Sequence, residues 1–384
     1  MTRFHKWPLA AVLATLLAAC GGGGSDTAPR EAVTTVKVFG DSLADVGTFG
    51  LKFTVQGGDT YPERVAESFG LDKGCNFFIF TGATFAANTA AVCNNFAIGG
   101  GVINPASSSL TAADPRTIGV QLATAASARG NYGAGDLLVI DGGGNDASAL
   151  VSAYLRAGTP APAGDGGASY IALVGTLLTP AQVGAAASGG AAGLATAGGQ
   201  YMMALADLFY SQIKAQALDK GAPRVVLLNM PGITNTPRFQ MVLAGIQASA
   251  GSTARAQSEA LFKGWIEAFN AQLASRVASD AAVALVDFYT AFNDQVAMPA
   301  QFGLSNVVNT ACPAVGVGSD GLPTYSFPTC TAAALSAQTP PAGATGGADW
   351  WRTYAFSDGF HPTPYGHQLV SQLISRALAR AGWL

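Results

Sequence analysis

Charge is what this sequence has least of. Only 11% of its 384 residues are Asp, Glu, Lys or Arg, and the formal charge is −3. No basic run and no interleaving of arginine with aromatics occurs, which excludes an electrostatic nucleic-acid surface. Histidine is scarcer still, with three copies at His5, His361 and His367. No Cys-x-x-Cys spacing occurs and no histidine lies near a cysteine pair, so no metal site is expected. No Gly-x-x-x-x-Gly-Lys-Ser/Thr run occurs either, so a phosphate cradle is excluded and no cofactor is expected. Beyond the N-terminus, no run is long and apolar enough to span a bilayer.

What is present begins with a targeting pattern. Arg3 and Lys6 precede a short apolar stretch over residues 7–17, too short for a mature membrane helix. Leu17-Ala18-Ala19-Cys20 follows, then four glycines and Ser25. Small residues ahead of a cysteine resemble the bacterial lipobox, in which Cys20 would be acylated and become the first mature residue. Residues 1–19 are thus expected to be a lipoprotein signal peptide and residues 20–32 a flexible tether. The expected location is the cell envelope, through a lipid anchor in the outer membrane of a Gram-negative bacterium, or outside the cell. Four further cysteines, an even number in an exported chain, suggest two disulfides. Three connectivities are open, and the short-loop pairs Cys75–Cys93 and Cys312–Cys330 are the cheap choice.

From Val33 the pattern is that of one α/β domain. Apolar, β-branched runs at residues 36–39, 137–140, 224–229 and 283–287 read as strands buried on both faces, hence a parallel sheet. Helical spacing of apolar residues marks 61–69, 200–218, 254–277 and 364–381 between and after them. The alternation predicts a three-layer α/β/α sandwich over residues 33–384. Residues 157–199, rich in Ala and Gly, and residues 304–349, rich in turn formers, read as surface insertions.

Four short motifs carry chemistry. Gly40-Asp41-Ser42-Leu43 ends the first strand and puts a serine where a turn begins. Asn95-Phe96-Ala97-Ile98 runs into Gly99-Gly100-Gly101, and Leu137–Ile140 runs into Asp141-Gly142-Gly143-Gly144-Asn145-Asp146. Asp358-Gly359-Phe360-His361-Pro362 stands near the C-terminus. In an open parallel sheet, turns beyond the carboxyl ends of strands converge. A serine hydroxyl needs a base to attack anything. His5 lies in the signal segment, which leaves His361 and His367. Asp358 stands three residues before His361, near enough in a tight turn to fix its tautomer. Other readings accompany these residues: Ser42 as a helix N-cap, Asn145 as a turn former, and His361 as a surface histidine. His367 reads as structural, Asp41 and Asp146 as turn or cap residues, and Asp45 and Gly47 as loop shapers. Trp350 and Trp351 read as packing beneath the base-bearing loop.

With these four blocks in order, the chain resembles the GDSL esterases and lipases, also called SGNH hydrolases. The resemblance spans roughly residues 33–384 and implies a flavodoxin-like fold with a mostly parallel sheet. It implies Ser42 as nucleophile, His361 as base and Asp358 as its partner. The oxyanion donors it implies are Ser42, Gly100 and Asn145, with Gly99 as an alternative alignment for Gly100. It implies hydrolysis of a carboxylic ester, with a small-molecule or lipid ester as substrate and the membrane as a second partner through the anchor. A monomer is expected. A polysaccharide O-acetyl esterase, or a non-catalytic envelope lipoprotein that binds a ligand in the same cleft, are the other readings.

Overall fold

The computed structural model describes residues 32–89, 92–159 and 164–384. The expectations on residues 1–31, Cys20 among them, lie outside the described residues. One unit runs from Val33 to Leu384.

β1 (Thr35–Phe39) leads through the loop of Ser42 to α1 (Tyr61–Ser68). A small antiparallel hairpin follows, β2 (Phe78–Phe80) with β3 (Phe85–Ala87). Next come α2 (Ile118–Arg129), β4 (Asp136–Ile140) and α3 (Gly144–Ala157). Three helices continue the chain: α4 (Ala168–Val174), α5 (Pro180–Ser188) and α6 (Gly190–Gln216). β5 (Val225–Leu228), α7 (Pro237–Val277), β6 (Val283–Val286) and α8 (Phe288–Ala297) resume the alternation. α7 breaks at Gly251, whose φ of 89° no helix accommodates. Short elements follow, β7 (Asn306–Thr310), β8 (Ala314–Val317), β9 (Pro323–Tyr325) and α9 (Ala332–Ser336). β10 (Tyr354–Phe356) precedes the closing helix, α10 (Pro364–Ala381).

The central sheet is parallel in the order β1-β4-β5-β6. Residues 94–98 extend it beyond β1. There the Val38 N–H donates to the Asn94 carbonyl (3.0 Å) and the Phe96 N–H to the Val38 carbonyl (2.8 Å). The chain therefore lays its second strand-like segment on one side of β1 and its third on the other. Such a reversal opens a crevice at the carboxyl ends of the strands.

Period-two alternation distributes each strand between two cores. Val38, Leu137, Val139, Val226 and Leu228 face Tyr61 and Val65 of α1 and Val370, Ile374 and Leu378 of α10. Phe39, Leu138, Ile140, Val225 and Leu227 face the opposite layer, which α2, α3, α6 and α7 build. This is the α/β/α sandwich that the sequence pattern predicts. The strands and α10 lie where expected to within a residue or two. α2, α3 and α8 fall outside the helices read from the sequence. α3 starts inside the glycine-rich third motif, whose composition reads as a turn.

Residues 157–199 correct the expectation of a surface excursion. From Ala168 they are helical, and Tyr170, Val174 and Ala197 are buried in the larger core. Small residues make this possible because helices lacking bulk approach closely. A Cβ on Gly198 would stand 2.3 Å from the Trp265 ring, and the Trp265 indole N–H donates to the Ala195 carbonyl (2.9 Å). The later insertion, 304–349, has an apolar cluster of its own. Trp350 and Trp351 are buried there with Val55, Leu335 and Tyr354, as packing residues. Both disulfides take the short-loop pairing, Cys75–Cys93 and Cys312–Cys330, and the second lies within that cluster.

Two outcomes follow from this packing. Gly198→Ala should cost about 1–3 kcal/mol, since the Trp265 ring must shift in a filled core; urea unfolding measures it. His367 is buried between α10 and α1, where its Nδ1 accepts from the Tyr61 N–H (3.3 Å). Burial pushes its pKa down from 6.5 to about 3. The unfolded chain therefore takes up this proton first, and stability should fall as pH drops from about 6.5 towards 3. His367→Asn, which keeps an acceptor for Tyr61, should remove a slope of about one proton from urea midpoints measured across pH 4–7.

Candidate active site

Three adjacent loops meet at the reversal point, one from β1, one from residues 94–98 and one from β4. The first is set by Gly40. Its φ is +152°, and a Cβ there would sit 1.8 Å from Asp141 Oδ1, so no other residue fits. The buried Gln121 side chain holds both polar groups of Gly40. Its Oε1 accepts from the Gly40 N–H and its Nε2 donates to the Gly40 carbonyl, each at 2.9 Å. Asp41 then shapes the turn as its position suggests: Oδ1 accepts from the Leu43 N–H (2.9 Å). The Asp41 carbonyl accepts from the N–H of Ala44 (3.1 Å) and of Asp45 (3.0 Å). Ser42 sits at the tip, and its own N–H has no partner among the described residues.

Gly99, Gly100 and Gly101 differ in what their N–H groups meet. That of Gly99 donates to Asp45 Oδ2 (2.8 Å), and that of Gly101 to the Ile98 carbonyl (2.9 Å). Gly100, at φ +77°, keeps an N–H with no partner among the described residues. Of the two alignments open in the sequence, Gly100 is thus the one with a donor to give. Asp45 does more than shape its own loop. It also accepts from Gly47 N–H, Thr48 N–H and Asn76 Nδ2 (2.8, 2.8 and 2.7 Å), tying the serine loop to the glycine loop.

Asn145 enters from the first turn of α3. Its Nδ2 donates to the Gly101 carbonyl (2.9 Å) and stands 3.4 Å from Asp41 Oδ2. Asp146 beside it turns inward. It accepts from Ile103 N–H, Asn104 N–H (both 2.9 Å) and Ser107 Oγ (2.7 Å), and burial pushes its pKa up to about 6. Its partners lie far away in sequence, beyond the local cap that its position suggests.

His361 arrives from the loop between β10 and α10. Its Nε2 stands 2.7 Å from Ser42 Oγ. Its Nδ1 stands 2.9 Å from both carboxylate oxygens of Asp358. Asp358 Oδ1 also accepts from the N–H of Phe360 (2.9 Å) and His361 (2.7 Å), which locks the turn. The tautomer that fits carries its hydrogen on Nδ1 and leaves Nε2 free to accept from the serine. Phe53 and Phe327 pack against the imidazole, with centroids 5.2 and 5.5 Å away. Burial alone would lower the His361 pKa. The Asp358 charge and hydrogen bond, helped by Asp41, outweigh it and hold the pKa above 6.5. Burial would likewise raise the Asp358 pKa, but His361 and the two N–H donors keep it below the usual value.

A buried acid pair lies behind the serine. Burial, and then the proximity of Asp41, raise Asp141 well above the usual carboxylate range. Its Oδ2 accepts from the Tyr61 hydroxyl (2.6 Å) and its Oδ1 from the Asp41 N–H (3.1 Å). Ser42, Gly100, Asn145 and His361 all line a cavity of about 720 Å³. Its remaining walls are mostly apolar, with Leu43, Phe53, Ile233, Phe292, Phe327 and Leu369 among them.

The structure thus brings together Ser42, His361, Asp358, Gly100 and Asn145, which stand in four separate sequence blocks. Sequence reasoning missed Gln121, Tyr61 and the pinning roles of Asp45, Asp141 and Asp146. Their partners are mostly 40 or more positions away, so no local spacing reveals them.

No curated protein matches the chain significantly. The model of the GDSL-like lipase/acylhydrolase family matches residues 191–374, from the start of α6 to the middle of α10, a stretch that holds Asp358 and His361. The match shows that this stretch is similar to the GDSL-like lipase/acylhydrolase family, and the α/β/α fold with its four motif loops gathered at one crevice agrees with that similarity.

Proposed function

We propose that this protein is a serine esterase that cleaves carboxylic esters through Ser42, His361 and Asp358. The observation that carries the reading is the hydrogen-bonded chain from Ser42 Oγ to His361 Nε2 (2.7 Å) and from His361 Nδ1 to Asp358 (2.9 Å). The similarity of residues 191–374 to the GDSL-like lipase/acylhydrolase family supports hydrolysis of esters in general.

In this reading, His361 Nε2 takes the hydroxyl proton as Ser42 Oγ attacks the ester carbonyl carbon. Asp358 holds the imidazole in the right tautomer and stabilises the imidazolium. The carbonyl oxygen becomes an oxyanion that accepts from the Ser42 and Gly100 N–H groups, neither of which has an acceptor among the described residues. Asn145 adds a third by giving up its long contact with Asp41. The tetrahedral intermediate collapses, the C–O bond to the alcohol breaks, and His361 hands its proton to the leaving oxygen. Water, deprotonated by the same histidine, then attacks the acyl-serine and releases the acid. Donors fixed in advance at the site of developing charge typically contribute 10²–10³ each.

The apolar cavity of about 720 Å³ favours an acyl or alcohol chain longer than acetyl, so the sugar O-acetyl reading is the weaker one. The two disulfides fit an oxidising compartment. We extend the proposal to export and acylation at Cys20, with the esterase tethered at the cell envelope.

Purified protein should hydrolyse p-nitrophenyl butyrate, and Ser42→Ala should lower kcat by about 10³-fold or more; equal rates would remove the assignment. The base must be neutral, and its pKa is held above 6.5. The acid limb of kcat/KM should therefore lie above pH 6.5, with activity lost as pH falls through it. Asp358→Asn should move that limb to lower pH and reduce kcat by about 10²–10⁴.

A further inference from the structure

One wall of the Ser42 cavity is a single face of α8. Phe288, Phe292 and Gln295 are four and three residues apart, so they share that face, and all three line the cavity. Leu304, Leu369 and Val370 are further apolar lining. Within these walls Gln295 is anomalous. It is 9% exposed, yet its amide makes no hydrogen bond to any described residue, and neither amide atom is sealed off by protein.

Two other buried polar side chains on the same cavity are already engaged, while Ser148, Tyr325 and Ser326 line it only half-buried. Asn229 donates to Asp287 Oδ1 (3.1 Å) and accepts from the Tyr289 N–H (2.8 Å). The Thr236 hydroxyl donates to the Ile233 carbonyl (2.7 Å). A buried amide with nothing to bond is costly, whereas methionine or leucine would fill the same volume without that cost. What satisfies Gln295 therefore enters the cavity from outside. An amide offers both a donor and an acceptor, which is the complement of a hydroxyl.

Resting on the esterase reading, we infer that Gln295 determines specificity by reading a hydroxyl carried on the otherwise apolar chain of the ester. The preferred substrates are then hydroxyl-substituted esters rather than plain alkyl ones. A site built to hydrogen-bond a substrate group rejects the analogue that lacks it far more strongly than an apolar pocket rejects a methylene. Gln295 acts on the chain and takes no part in bond breaking.

The test compares the full protein with Gln295→Met and Gln295→Leu on two matched series. One series is p-nitrophenyl alkanoates against the same esters carrying one hydroxyl at successive acyl positions. The other is alkyl butyrates against hydroxyalkyl butyrates, which puts the hydroxyl on the alcohol side. In one series the protein should favour the hydroxylated member at a particular position. Both variants should shift that kcat/KM ratio by about tenfold or more towards the plain ester, with turnover of the plain ester kept or raised and the thermal midpoint unchanged or higher. Ratios unaltered within about twofold in both series would mean that Gln295 binds only water, and would overturn the inference. Failure of the esterase reading would look different: the unsubstituted protein would turn over no plain ester at all.

Discussion

β1 lies between residues 94–98 on one side and β4 on the other, all running the same way. Three loops consequently leave the sheet side by side at one end. The first brings Ser42, the second Gly100 and the third Asn145, so groups about 60 and 100 positions from the serine in sequence meet without any long excursion of the chain. His361 needs a different device. It comes from the far end of the chain, positioned by the docking of α10 on the outer face of the sheet, where Val370, Ile374 and Leu378 pack. Hydrophobic burial by α10 is therefore coupled to the placement of the imidazole, since Thr363 caps the helix two residues after it.

A chain with few charges spends several of them inside. Asp45, Asp141 and Asp146 are buried beneath the crevice, and each accepts backbone or hydroxyl donors from another loop. Burying a carboxylate is unfavourable unless its oxygens are met. Here each is met two to four times, and each acid fixes a loop that glycine alone would leave free. The glycines allow the backbone to come close, as at Gly40 against Asp141, and the acids remove the freedom that glycine brings. The N–H groups of Ser42 and Gly100 remain unspent in this bonding and point to an external acceptor.

How much of this was legible in the sequence depends on range. The strands could be read because continuous apolar runs announce burial on both faces, and α10 because its apolar period is regular. The serine, histidine and aspartate could be read because each stands in a short motif and histidine is scarce. Gln121 could not be read, because a glutamine inside an ordinary helix shows nothing of the glycine it grips 81 positions away. Residues 157–199 misled for a related reason: alanine and glycine look like loop composition, yet close helix packing uses them against Trp265. Gln295 carries no motif, and only the three-dimensional cavity shows that its amide has no hydrogen-bond partner among the described residues.

The central claim is that Ser42 is activated by His361. It is tested most directly by incubating the folded protein with a fluorophosphonate and mapping the adduct by peptide mass spectrometry. The account predicts a single adduct on the Ser42 peptide, absent from Ser42→Ala and formed much more slowly in His361→Asn. An adduct on another serine, or none while a control serine esterase is labelled under the same conditions, would contradict it.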